Sequence, residues 1–166
     1  MHLLHPDFTF NRPEDISPAF LKERGIQGLL LDLDGTLCAT GSYPPRESVG
    51  RWLSEVRSSG VDLAMVSNNR NMSRVEQFCM DHGILHYTGR AGKPGNRGFR
   101  WACEVLRLEP RALAVVGDQI FTDVLGGNRA GMTTILVHSL DLFLWYAKLR
   151  RLAERPFLKP EEEGEK

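Results

Sequence analysis

Short, uninterrupted apolar runs alternate along this chain with longer stretches in which apolar residues recur every three or four positions. Gly28–Leu33 reads as a buried strand, Val61–Val66 is a second apolar run, Ile84–Tyr87 is short and strand-like, and Leu113–Val116 and Thr133–Val137 read as strands. Pro45–Ser59 carries Val49, Trp52, Leu53 and Val56 at helical spacing, with Gly60 just past its end. Met72–His82 places Val75, Phe78 and Cys79 on one face and stops at Gly83. Gly95–Leu106 does the same with Phe99, Ala102, Cys103 and Leu106, and Ile120–Ala130 ends at Gly131. A last helix is expected over Leu140–Ala153. The pattern predicts one domain over 1–158 and a disordered acidic tail over 159–166. Strands alternating with helices of this length predict an α/β, Rossmann-like parallel sheet of about five strands with helices on both faces. The runs are apolar throughout, as befits strands covered on both sides.

Ligands of such sheets bind beyond the carboxyl ends of the strands. Several polar groups fall there. Asp32 and Asp34 close the first run, and residues two apart in a strand face the same side, so both carboxylates should project together. Such a pair calls for a cation, and Mg²⁺ is the hard-ion partner of clustered carboxylates. Ser67 follows the second strand, and Gly117 and Asp118 follow the fourth. Cleaving a phosphate monoester requires a nucleophile, an acid for the leaving alkoxide and a cation for the phosphate oxygens. Asp32 and Asp34 suit the first two tasks, and Asp118 and Asp123 add oxygens for Mg²⁺. Ser67 offers a hydroxyl to phosphate, and Lys93 a compact positive charge.

Each residue also has an ordinary structural explanation. Ser67 could cap a helix, Lys93 could be a solvated surface lysine, and Asp118 and Asp123 could serve a helix N-terminus. Their order, each at a strand end or helix start, favours the site. Arg129 reads as solvating its helix. Asn128 reads equally as a site residue or a helix residue, and Asn68 and Asn69 equally as phosphate ligands or turn holders.

Composition narrows the class. The 166 residues have a net charge of zero, so overall charge makes no case for nucleic acid. The three cysteines are far apart and lack metal-ligand spacing, which fits a reducing cytoplasm. Cys38, near the acidic pair, reads as a small buried filler. No leader segment is visible, and no run approaches the ~20 apolar residues of a membrane span. The expectation is a cytoplasmic protein able to lie peripherally at the inner membrane face.

Asp32-Leu-Asp-Gly-Thr36, Ser67, Lys93 and the pair Asp118 and Asp123 together resemble the four motifs of the haloacid dehalogenase-like (HAD) phosphohydrolases. Order and spacing match from residue 28 to residue 137. The resemblance implies Asp32 as nucleophile, Asp34 as general acid and base, and Lys93 as a third catalytic residue. It implies a phosphate site of Thr36, Ser67, Asn68 and Lys93, and Mg²⁺ held by Asp32, the Asp34 backbone carbonyl and Asp118, with Asp123 close by. Val66-Ser-Asn-Asn69, Gly92-Lys-Pro94 and the run from Val116 to Arg129 resemble the YqeG-type group of HAD subfamily IIIA, related to phosphatidylglycerophosphate phosphatases. Gly35 stands where that group usually carries Asn.

The spans Cys38–Arg46 and Asn69–Lys93 are too short for a cap domain, so the site should be open to a bulky phosphomonoester. Leu140–Arg155 combines large apolar side chains with Lys148, Arg150, Arg151 and Arg155, and reads equally as an interfacial anchor or as a helix packed on the sheet. The family resemblance favours contact with an anionic membrane and a phosphatidylglycerophosphate substrate. The alternatives are a phosphatase of nucleotide, sugar or nucleic-acid phosphates, and a HAD-fold partner of a GTPase or ribosomal particle.

Overall fold

The structure, a computed structural model, describes residues 3–141 and residue 153. In chain order its elements are β1 (Phe8–Phe10), α1 (Pro18–Glu23), β2 (Gly28–Leu31), α2 (Glu47–Ser58), β3 (Asp62–Val66), α3 (Met72–His82), β4 (His86–Thr88), α4 (Arg97–Leu106), β5 (Leu113–Gly117), α5 (Leu125–Ala130) and β6 (Thr133–Val137). All neighbouring strands are parallel, and the sheet runs β1-β6-β5-β2-β3-β4. The expected helix over Leu140–Ala153 and the acidic tail lie outside the described residues, apart from Leu140, Asp141 and Ala153. Among the described residues no helix is long and apolar enough to cross a membrane.

Strand periodicity divides the core. Leu29, Leu31, Leu63, Met65, Ala114 and Val116 face one side, where they meet Val49, Trp52, Leu53 and Val56 of α2 and Val75, Phe78 and Cys79 of α3. Leu30, Ala64, Val66, Leu113 and Val115 face the other, against Phe99, Ala102 and Leu106 of α4. Both faces are covered, which is why these strands read as continuous apolar runs.

The sheet has six strands rather than about five. The additional β1 pairs with the edge of β6, and Phe8 and Phe10 pack edge-on against Phe20 of α1. Three residues are too few to show a period, so the pattern of the chain does not announce this strand. Ile84, expected in β4, precedes it and packs into the core. α4 starts at Arg97 rather than Gly95. The helix expected over Ile120–Ala130 is divided, with a wide π-type turn over Ile120–Val124 before α5.

Asn128 has a structural task. Its buried amide donates to the carbonyls of Leu3 (2.9 Å) and His5 (3.0 Å), and so ties the segment before β1 to α5. Asp7 continues the attachment, its Oδ2 accepting from Thr134 N at 2.8 Å. An Asn128→Ala variant would leave two carbonyls without this donor and should lose about 1–3 kcal/mol of stability. Urea unfolding measures the loss, and an unchanged midpoint would contradict this anchoring.

Candidate active site

Register brings the candidate residues together. Leu31 of β2 lies level with Met65 of β3 and Val116 of β5. The residues that follow these positions therefore emerge at one carboxyl edge, Asp32 in the middle with Ser67 and Asp118 on either side. Asp32 N still donates to Val116 O at 3.0 Å, but the chain then leaves the sheet. Lys93 arrives from the β4–α4 connection. Its Nζ lies 2.7 Å from Asp32 Oδ1 and 2.6 Å from Asp123 Oδ1, with the side chain only 3% exposed. Thr36 Oγ1 stands 3.3 Å from Asp118 Oδ1 and 3.5 Å from Asp32 Oδ2. Asp32, Thr36, Ser67, Lys93, Asp118 and Asp123 are all buried.

The two carboxylates of the first motif do not project together. β2 ends at Leu31, and the amides of Leu37 and Cys38 both return to Leu33 O (3.0 Å each), so the two-residue period stops before Asp34. Asp32 turns to Lys93. Asp34 Oδ1 instead accepts from Arg74 Nε (3.2 Å) and Nη2 (3.0 Å), while Oδ2 accepts from Asn69 Nδ2. The same guanidinium donates to the carbonyls of Ala39 (3.3 Å) and Ser42, tying the loop after the first motif to α3. Arg74 was not foreseen, because an arginine on a polar helix face reads as solvated. One signal was present: it sits in the first turn of α3, where the helix dipole disfavours a cation.

The asparagines divide their work. Asn68 Oδ1 accepts from Lys93 N (2.9 Å) and its Nδ2 donates to Lys93 O (3.0 Å), which fastens the lysine loop to the end of β3. Ser67 Oγ accepts from Asn69 N at 3.1 Å.

Two glycines permit the close packing. A Cβ on Gly117 would lie 2.2 Å from Asp123 Cγ, so only glycine lets Asp123 fold back over the end of β5. The π-type turn makes that return, with Asp123 Oδ2 accepting from Gln119 N at 3.2 Å. Gly35 has φ of +85°, and a Cβ there would lie 2.5 Å from Asp118 Oδ2. In this chain an Asn at position 35 would displace Asp118.

Electrostatics follow from crowding. Carboxylate oxygens of Asp32, Asp118 and Asp123 lie within 4.8 Å of one another. Burial pushes the Asp32 carboxyl up from 3.8 to about 7, with the charges of Asp123 and Asp118 adding to the rise and Lys93 opposing it. Burial would lower the Lys93 ammonium, but the charges and hydrogen bonds of Asp123 and Asp32 outweigh it and hold the group above its ordinary range. Three carboxylates against one ammonium leave an excess of negative charge in a buried space. A divalent ion with oxygen ligands fits that donor set, and Asp32, Asp118 and Asp123 would hold it. Cys38 is no rival nucleophile, since burial pushes its thiol up to about 11.

The HAD-hydrolase-like family model matches residues 90–139. The chain is 39% identical over 156 residues to the Bacillus subtilis protein named Probable phosphatase YqeG, a match covering 92% of this chain and 88% of that one. It is 31% identical over 152 residues to the Arabidopsis thaliana Phosphatidylglycerophosphate phosphatase 1, covering 83% of this chain and 39% of that longer protein. Among solved structures, the Moraxella catarrhalis 3-deoxy-D-manno-octulosonate 8-phosphate phosphatase, in complex with magnesium, phosphate and KDO, superposes with a TM-score of 0.52. That pair shares 18% identity over 82% of this chain and 91% of the other, a likeness of fold.

The raised Asp32 carboxyl has a consequence for stability. A folded-state value of about 7 against 3.8 means that the native metal-free protein binds the proton more tightly than the unfolded chain. Its stability from this group is therefore present at low pH and lost as pH rises through that window. In a chelator, Asp32→Asn should melt higher than the wild type at pH 7.5, and the difference should shrink toward pH 4. Parallel melting profiles across this range would contradict the crowding argument.

Proposed function

The chain belongs to the HAD-like hydrolases as a YqeG-type phosphatase, and we propose that it releases phosphate from a lipid phosphomonoester, phosphatidylglycerophosphate, with Mg²⁺ as its metal. The observation that carries this reading is the buried cluster in which Lys93 bridges Asp32 and Asp123 beside Asp118. An Asp32 carboxylate oxygen attacks phosphorus, the bond from phosphorus to the ester oxygen breaks, and an aspartyl-phosphate forms. Asp34 gives a proton to the departing alkoxide, and Arg74 stabilises the carboxylate it becomes. Water then attacks phosphorus, Asp34 takes the proton back, and Asp32 is regenerated as inorganic phosphate leaves. Lys93 and the Ser67 hydroxyl hold phosphate oxygens during both steps. Bound Mg²⁺ supplies positive charge to those oxygens and relieves repulsion among the carboxylates.

Support for a bulky lipid substrate comes from the rim. Among the described residues no domain is inserted between β2 and α2 or between β3 and α4, so nothing of that kind roofs the cluster. The basic and aromatic segment Leu140–Arg155 begins at the catalytic loop. Leu140 N donates to Gly35 O at 2.8 Å, and Asp141 Oδ1 accepts from Thr40 N at 2.8 Å. A membrane-facing segment rooted there would present the site to an anionic surface. The name of the plant relative points to the same substrate.

In vesicles containing phosphatidylglycerophosphate, phosphate release with Mg²⁺ should exceed that from nucleotide or sugar phosphates. It should stop in a chelator and fall at least about a thousandfold in Asp32→Asn. Faster release from a nucleotide would overturn the lipid assignment, and failure to sediment with the vesicles would overturn membrane contact. Arg74→Ala should lower kcat roughly a hundredfold with little change in KM, because a misplaced proton carrier costs the chemical step and not binding. Equal damage to KM would contradict that role for Arg74.

A further inference from the structure

Beside the buried cluster lies an open pocket of about 610 Å³ lined by Asn68, Arg70, Arg90 and Gly92. Its volume is within the usual range of small-molecule sites. The catalytic scheme uses neither arginine. Both lie on the carboxyl edge of the sheet, Arg70 three residues beyond Ser67 and Arg90 three residues before Lys93. Asn68 belongs to the pocket lining and also holds the Lys93 backbone by two hydrogen bonds, so the pocket adjoins the lysine loop.

These arginines differ from other surface charge in their place, since both line the pocket that adjoins the lysine loop. Both are exposed, and among the described residues neither guanidinium is in a salt bridge. Arg90 also holds a left-handed backbone, φ of +51°, which a side-chain-bearing residue adopts at a cost. That backbone is tied on both sides, Arg90 N to Asn69 O at 3.2 Å and Arg90 O to the Arg97 guanidinium. The local structure thus holds Arg90 in place while its charge goes unused.

We propose that Arg70 and Arg90 form a second anion subsite, which receives a further phosphate group of the substrate a few bonds from the scissile monoester. Guanidinium forks match phosphate oxygens bidentately, and two of them in one open pocket suit a phosphodiester or a second monoester. The inference rests on the phosphomonoesterase reading and narrows it: the preferred substrate carries two phosphates, and a compound with one phosphate leaves the pocket empty. The glycerol-linked pair of phosphates in a phospholipid headgroup has this chemistry, and so does a free sugar bisphosphate.

Two measurements on wild type, Arg70→Ala and Arg90→Ala test it. The first is the ratio of kcat/KM for glycerophosphoglycerol phosphate, the deacylated headgroup, to that for glycerol 3-phosphate. The second is calorimetric binding of the same headgroup, with Mg²⁺, to each variant combined with Asp32→Asn. The ratio and the affinity should each fall about tenfold per arginine, as expected for loss of a charge-assisted contact. A parallel loss on both substrates, or unaltered headgroup binding, overturns the subsite while leaving the phosphatase reading intact. Weakened binding in an enzyme that hydrolyses neither compound upholds the subsite and overturns the reading of the reaction. Fructose 1,6-bisphosphate as a third ligand separates the sources. Equal sensitivity to the arginines identifies a free bisphosphate as an adequate occupant, and insensitivity assigns the subsite to the headgroup.

Discussion

The ammonium of Lys93 lies between Asp32 and Asp123 with almost no contact with water, and the arrangement of the sheet can be understood from that ion pair. Its three members, Asp32, Lys93 and Asp123, come from the connections after β2, β4 and β5. They meet only because those strands are parallel and their carboxyl ends are level. Burying charge is costly unless it is paired and hydrogen-bonded. Asn68 holds the backbone on either side of the lysine, Gln119 N bonds Asp123, and Gly117 leaves the space into which Asp123 folds. The pairing is nevertheless incomplete. Asp118 and Asp32 share the space with Asp123, and one ammonium does not balance three carboxylates. The fold therefore retains a demand for positive charge at the point where a divalent ion and a phosphate would arrive together.

A second cation sorts the acidic pair of the first motif. Asp32 and Asp34 are two residues apart, but they belong to different electrostatic neighbourhoods. Asp32 faces Lys93 in a dry cluster, and Asp34 faces Arg74 nearer to solvent. The proposed division of roles, Asp32 as nucleophile and Asp34 as proton carrier, requires this difference, since the two must not compete for one cation. Arg74 also bonds the carbonyls of Ala39 and Ser42, so the loop after the first motif and Asp34 are fixed by one side chain.

Much of this was legible in the sequence, for physical reasons. The apolar runs of β2, β3 and β5 were readable because these inner strands are buried nearly throughout, and burial leaves a continuous signal, whereas β4 is a half-buried edge strand read from a short run. Asp32, Ser67 and Asp118 could be placed on one edge because parallel strands end on one side, and Lys93 was expected with them from its chemistry and the family resemblance. The parts that were not legible depend on short or non-local contacts. β1 is a three-residue edge strand held by Asp7, Asn128 and an aromatic cluster, none of which leaves a period in the chain. The parting of Asp32 from Asp34 depends on where β2 stops, and an apolar run does not mark its own last paired residue. Asn128, open between two readings, proved to serve a third, the attachment of the N-terminal segment.

The central claim is that Asp32, and not Asp34, takes the phosphoryl group. Rapid acid quenching during turnover of a phosphomonoester, followed by fragmentation mass spectrometry of the peptide carrying both residues, reads this directly. The account predicts a phosphoryl adduct localised to Asp32 that disappears when the reaction is allowed to finish. An adduct on Asp34, or steady turnover with no phosphorylated protein at any quench time, would contradict it.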